Sequence, residues 1–149
     1  MTFDNIAAFA LTGDNVPESA LEMTALLLID TIGVAAGAAH MDAGRLAREH
    51  AFSFHAAASD KHAAPMMFDG RAVSIPGAAF AAATQIDNLD AHDGYNPAKG
   101  HIGCALVPAL FAFAKTRPEL TGREALTALA ISYEIAARAA IALHATVSD

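Results

Sequence analysis

Asp90 and His101 lie in a stretch, Asp87 to His101, that holds three aspartates, two histidines and one lysine, punctuated by Gly94, Pro97 and Gly100. A carboxylate and an imidazole brought together can take a proton from carbon and return it elsewhere. His101 falls where a helix is expected to start. The positive end of the helix dipole disfavours the imidazolium there, and the unpaired amides of Ile102 and Gly103 can hold a carboxylate. Gly100 and Gly103 have no side chain to keep an anion off the backbone, and Lys99 adds positive charge. Together these residues describe an acid–base site for a substrate that carries carboxylates.

Plainer readings fit the same residues. Asp90 after Leu89 can close a helix end, Asp93-Gly94 can be an ordinary turn, and His92 and Lys99 can be solvated. A metal site built from Asp90, His92, Asp93 and His101 is chemically open, but it lacks the i, i+4 spacing of a helical zinc motif. No metal and no cofactor are assigned. His40, His50, His55, His62 and His144 show no paired spacing and read as surface or packing residues. Cys104 follows a helix start, where a thiol can be activated, yet it reads as a small apolar packing residue. As the one cysteine it allows no internal disulfide and no cluster ligated by cysteines of this chain. There is no Gly-rich phosphate loop and no triad around Ser74.

Apolar helices must position these groups. Thr2 to Leu11 reads as a short helix with Phe3, Ile6, Ala7 and Ala10 on one face, followed by a turn at Thr12-Gly13-Asp14-Asn15. Pro17 and Glu18 suit the start of a helix to about Ala39, apolar on nearly every side and so expected to be buried all round. In it Gly33 and Gly37 would let another helix approach closely. Asp42 is expected to cap a helix over Ala43 to Ala58, with Leu46, Ala47, Ala51 and Phe54 facing in and Arg45, Arg48 and Glu49 facing out. Pro65 to Phe68 and Arg71 to Ile75, around Asp69-Gly70, read as a small peripheral β-hairpin. Pro76 opens a small-faced helix to Leu89. Another runs from near His101 to Lys115, and Pro108 requires a frayed start or a kink. Thr121 and Glu124 match a capping box for the last helix, which runs towards His144. The class is mainly α, about six helices with one small hairpin.

The balance of charges excludes some partners. The chain has 149 residues, 54% of them hydrophobic and 17% charged, with a formal net charge of -7, and a mean hydropathy of +0.35. Nothing resembles a basic stripe for nucleic acid. The first residues lack a basic signal-peptide region. The longest apolar run, Ala25 to Ala39, contains Asp30, which argues against a membrane span. A cytoplasmic protein is expected. Several helices look apolar all round while few partners exist to cover them, so the chain reads as a piece of a larger domain or as a homo-oligomer.

Ordered along the chain, several short motifs carry a resemblance. They are Asp30-Thr-Ile-Gly33-Val-Ala-Ala-Gly37, the hairpin Met66 to Ile75, Asn88-Leu-Asp90-Ala-His92-Asp93-Gly94, His101-Ile-Gly103-Cys-Ala-Leu-Val107-Pro108-Ala109, Thr121-Gly122-Arg123-Glu124, and Tyr133-Glu134-Ile-Ala-Ala-Arg138. In order and spacing the chain resembles the MmgE/PrpD family, which includes 2-methylcitrate dehydratase, cis-aconitate decarboxylase and iminodisuccinate epimerase. The resemblance implies the N-terminal part of that family's helical domain. It implies a metal-independent lyase or isomerase acting on a small di- or tricarboxylate, with a second copy as partner. It places Asp90 and His101 on active-site positions, and Asp93, Lys99 and Gly103 are the expected substrate contacts. His92 stands where the family has Asp, Gly94 where it has Thr, and one extra residue separates Asp93 from His101. Dehydration, decarboxylation and epimerisation therefore all stay open. The family's later Lys, a further His and the lid have no counterpart here, so little or no activity is expected of this chain alone. The competing reading is a non-catalytic, truncated remnant or an oligomerising helical module.

Overall fold

Capping chemistry in the sequence sets where two of the helices begin. The computed structural model describes residues 3–13 and 16–147. It has six helices, α1 (Phe3–Thr12), α2 (Glu18–Ala38), α3 (Asp42–Phe54), α4 (Ile75–Leu89), α5 (Gly103–Ala114) and α6 (Gly122–Ala145), and two short strands, β1 (Ala63–Pro65) and β2 (Ala72–Ser74). Thr2, Asp14 and Asn15 of the expected first helix and turn lie outside the described residues. At α6 the capping box forms as expected: the Thr121 amide donates to Glu124 Oε2 at 2.8 Å and the Glu124 amide donates to Thr121 Oγ1 at 3.2 Å. Ser74 caps α4 by accepting from the Gly77 amide at 3.2 Å, with Pro76 in the first turn, where its missing N–H costs nothing. Asp42 is the first residue of α3 rather than its cap, which is Met41.

Small residues let α4 sit at the centre. Ala78, Ala81, Ala82 and Ile86 are almost fully buried, and α4 packs against α2, α3, α5 and both strands. One apolar cluster joins Ala51 of α3, Ala64, Met66 and Val73 of the hairpin, and Ala112 of α5 to this face of α4. A second joins Val34 and Ala35 of α2 to Ile86. The hairpin is therefore a core element and not peripheral. Its first strand also lies earlier than expected, with Ala63 opposite Ser74 and Pro65 opposite Ala72. The connection needs left-handed backbone at Phe68 (φ 58) and Gly70 (φ 82), which extended strands over 65–68 could not supply. α3 stops at Phe54, short of Ala58, because the His55 carbonyl turns aside to accept from the Ser74 amide at 2.7 Å.

Three further expectations are corrected. α2 is buried on one face only: Leu21, Thr31, Val34 and Ala35 point inward, while Leu26 and Ile29 are 62% and 67% exposed. Gly37 touches Leu89 of α4, but Gly33 meets open space. Arg48 does not face away from α3. Its side chain is 11% exposed and donates to the Ala39 carbonyl and to Gln85 Oε1, while Gln85 donates onward to the Ala35 carbonyl at 2.6 Å. This polar network ties α2, α3 and α4 together, since a buried amide and guanidinium must find partners. Pro108 lies inside α5 and is buried, the kinkable position anticipated from sequence. By length and apolar composition alone α2 and α6 reach the range of membrane-spanning helices.

Candidate active site

The Asp90–His101 pair is assembled by a helix end, a loop and a helix start. α4 ends at Asp90 in the left-handed conformation (φ 52, ψ 39), a region that Asp enters more readily than most residues. That turn aims the carboxylate back across the loop, where Asp90 Oδ1 lies 3.0 Å from His101 Nε2. The loop closes on itself: the Tyr95 amide donates to the Gly100 carbonyl at 3.0 Å across a short 3₁₀ turn over Asn96–Ala98, in which Ala98 is buried. This returns the chain to Asp93, whose carbonyl lies 2.7 Å from His101 Nδ1.

Those two contacts set which His101 nitrogen faces Asp90. A carbonyl only accepts, so His101 Nδ1 carries a hydrogen and donates it to Asp93. Nε2 then faces a carboxylate oxygen, which also accepts. At 3.0 Å the two atoms are within hydrogen-bonding distance, and the bond forms when Nε2 carries a proton. The arrangement sets an orientated imidazole against a carboxylate. The Asp90 side chain is 75% exposed and that of His101 29% exposed, so solvent or a small ligand reaches both.

The remaining expected site residues divide. The Gly103 amide, expected to be free for a substrate carboxylate, is occupied by the protein's own: both Asp93 oxygens lie 3.2 Å from it. Asp93 thereby serves the start of α5, whose N-cap position Ile102 offers no side-chain cap, placing negative charge at the positive helix end. It positions His101 by its carbonyl and α5 by its carboxylate. Gly103 is tightly enclosed, since a Cβ there would collide with the Tyr133 hydroxyl, with Asp93 Oδ1 at 2.5 Å and with Thr31 Oγ1 at 3.1 Å. Lys99 is exposed in a left-handed conformation (φ 49) and makes no ion pair with any described residue. A groove of about 540 Å³ lies between α1 and α6, lined by Ile6, Phe9, Ile135 and Ala139, and does not include the pair.

Four neighbours of this site have surroundings that sequence reasoning did not foresee. His92, open in sequence to a solvated or a metal-binding reading, is buried, and its ring lies tilted by 43° against that of His101 with centroids 4.1 Å apart. Burial, and then the nearby His101, pull its imidazole below its ordinary value. Cys104 is half-buried, and burial together with the negative charges of Asp87 and Asp93 pushes its thiol up to about 11. Tyr133 of α6 approaches Gly103, and burial followed by Asp93 raises its phenol above the ordinary range. Asp87, one turn before Asp90, completes the set. The Tyr-Glu motif was the one available signal for Tyr133; burial of His92 had none, because loop histidines are usually solvated.

Comparison with known proteins adds one match. The family model described as the MmgE/PrpD N-terminal domain matches residues 5–148. Neither a curated protein nor a solved structure matches the chain.

Proposed function

Because the chain belongs to the MmgE/PrpD family through its N-terminal domain, we propose that it contributes the acid–base half of a lyase or isomerase site acting on a small di- or tricarboxylate. The contact of Asp90 Oδ1 with His101 Nε2 at 3.0 Å carries this reading. The pair removes the proton next to a substrate carboxylate. Loss of water, loss of carbon dioxide, or reprotonation of the carbanion then follows. The Asp93 carbonyl holds His101 in the tautomer that presents Nε2. No metal is required for this proton transfer. Lys99, exposed beside the loop, supplies the positive charge for a substrate carboxylate. The Gly103 amide contributes indirectly, through Asp93. A homo-oligomeric, cytoplasmic protein that binds neither nucleic acid nor membrane belongs to the same reading. The openness of the pair to water implies weak turnover by this chain alone, because water screens the charges that develop during the reaction.

The test is isotope exchange. The chain is incubated in D₂O with citrate-, methylcitrate- or succinate-type acids, and deuterium entering the carbon next to a carboxylate is followed by NMR. Exchange above the buffer rate is expected, falling at least tenfold in Asp90→Asn, which tolerates the left-handed turn, and in His101→Gln. Exchange that persists in both variants would remove these residues from the mechanism. A second reading, a non-catalytic helical module that assembles with copies of itself, is favoured by the exposed Leu26, Ile29 and Phe54. Absence of exchange with every acid would leave that reading standing.

A further inference from the structure

We propose that Asp87, His92 and Cys104 form a binding site for one divalent transition-metal ion of the zinc class, beside the acid–base pair. The sequence suggested a different set, Asp90, His92, Asp93 and His101. The fold breaks that set apart, because Asp90 and His101 engage each other and Asp93 holds the Gly103 amide. It assembles another in its place. Asp87 comes from the last turn of α4, His92 from the loop and Cys104 from the first turn of α5. One carboxylate oxygen, one ring nitrogen and the sulfur all lie within 4.8 Å of one another. Asp87 Oδ1 and His92 Nε2 are 3.9 Å apart. Ligand atoms bonded at roughly 2.0–2.3 Å around a tetrahedral ion are separated by about 3.3–3.8 Å. Side-chain rotation must draw the three atoms together to reach that spacing.

The histidine supplies an independent observation. Its side chain is fully buried, 0% exposed, and neither ring nitrogen has a hydrogen-bond partner. Buried imidazole nitrogens are normally satisfied, and a bond from one of them to a metal satisfies it. Asp87 is 67% exposed and provides the route of entry. The donor chemistry then selects the ion. Thiolate and imidazole disfavour magnesium and calcium, which prefer oxygen, and suit zinc. One carboxylate and one thiolate neutralise a doubly charged ion. Three protein ligands leave the fourth tetrahedral position open to water or to a small carboxylate.

On binding, the Cys104 S–H bond breaks, its electron pair forms the bond to the metal, and the proton passes to solvent. No oxidant or reductant is involved. The proposal does not rest on catalysis by Asp90 and His101, neither of which supplies a ligand, so the isotope-exchange experiment and the following one can fail separately.

The experiment is a titration of the chelator-stripped full chain with Co²⁺. Expected are one equivalent bound, the near-ultraviolet absorption of a thiolate–cobalt bond, close to one proton released per ion, and loss of the cobalt spectrum on adding Zn²⁺. Cys104→Ser should abolish the sulfur band. Asp87→Asn, a surface change that leaves the fold intact, should weaken binding at least tenfold, while the remote His62→Gln leaves it unchanged. The proposal is overturned by absence of binding, by cobalt bound without a sulfur band, or by an affinity that Asp87→Asn and Cys104→Ser both leave unaltered. Capture of the ion by His50 and His55, whose ring centres lie 5.5 Å apart, would give the second and third of these results.

Discussion

His101 shows how much chemistry a single side chain takes from its neighbours. An imidazole in water presents either nitrogen; here the Asp93 carbonyl at 2.7 Å assigns the hydrogen to Nδ1 and leaves Nε2 for Asp90. Asp90 in turn depends on a left-handed backbone that places its carboxylate across the loop. The Asp90→Asn substitution is informative for that reason: it keeps the turn and removes the charge, so lost exchange reports on chemistry and not on folding. Gly103 is the other residue on which the site depends. Gly103→Ala forces a Cβ against Asp93, Thr31 and the Tyr133 hydroxyl. It should lower stability by about 1–3 kcal/mol, the usual cost of overpacking, measured by urea unfolding. An unchanged midpoint would mean that α5 can move away from α6 without penalty.

At the scale of elements, the hairpin is held by charge as well as by its buried Met66 and Val73. Arg71 donates to both Asp69 oxygens at 2.7 Å and to Glu49 Oε1 of α3 at 2.8 Å. The guanidinium keeps the Asp69 carboxyl below its ordinary value of 3.8, and the Asp69 side chain is only 13% exposed. A carboxyl whose folded pKa is depressed contributes stability that is fully present above about pH 4 and is lost as pH falls through the folded value. Urea unfolding at pH 6, 4 and 3 should therefore show a loss of stability over the acid range that is smaller in Asp69→Asn. Equal slopes in the two proteins would show that the clamp adds nothing to the fold. The sequence marked the Asp69-Gly70 turn but not the clamp, because Glu49 lies in another helix.

Across the whole molecule, apolar surface remains uncovered. Leu26 and Ile29 of α2, Phe52 and Phe54 of α3, and Phe113 of α5 are each more than half exposed. Scattered exposed apolar residues are ordinary, but a helix with large ones on its outer face invites another surface. Self-association is the expected result: sedimentation at micromolar concentration should find dimers or larger species, and Leu26→Glu with Ile29→Glu should shift them towards monomer. A monomer in the unaltered protein would end the oligomer reading. The 3.6-residue spacing that announced α2 as apolar all round could not say which face its neighbours would reach.

Helix positions, the capping box at Thr121, the helix start at Pro76 and the pairing of Asp90 with His101 could all be read from residue order, because each rests on groups close along the chain. The hairpin's place in the core, the inward turn of Arg48, the occupation of the Gly103 amide by Asp93 and the burial of His92 beside Cys104 could not. These depend on which helix faces pack together, and packing joins residues whose separation along the chain carries no local signal. In this protein the candidate site residues were written in one short segment and bond to one another within it, while the enclosure of Gly103 beside them was set by Thr31 of α2 and Tyr133 of α6 packing across the chain.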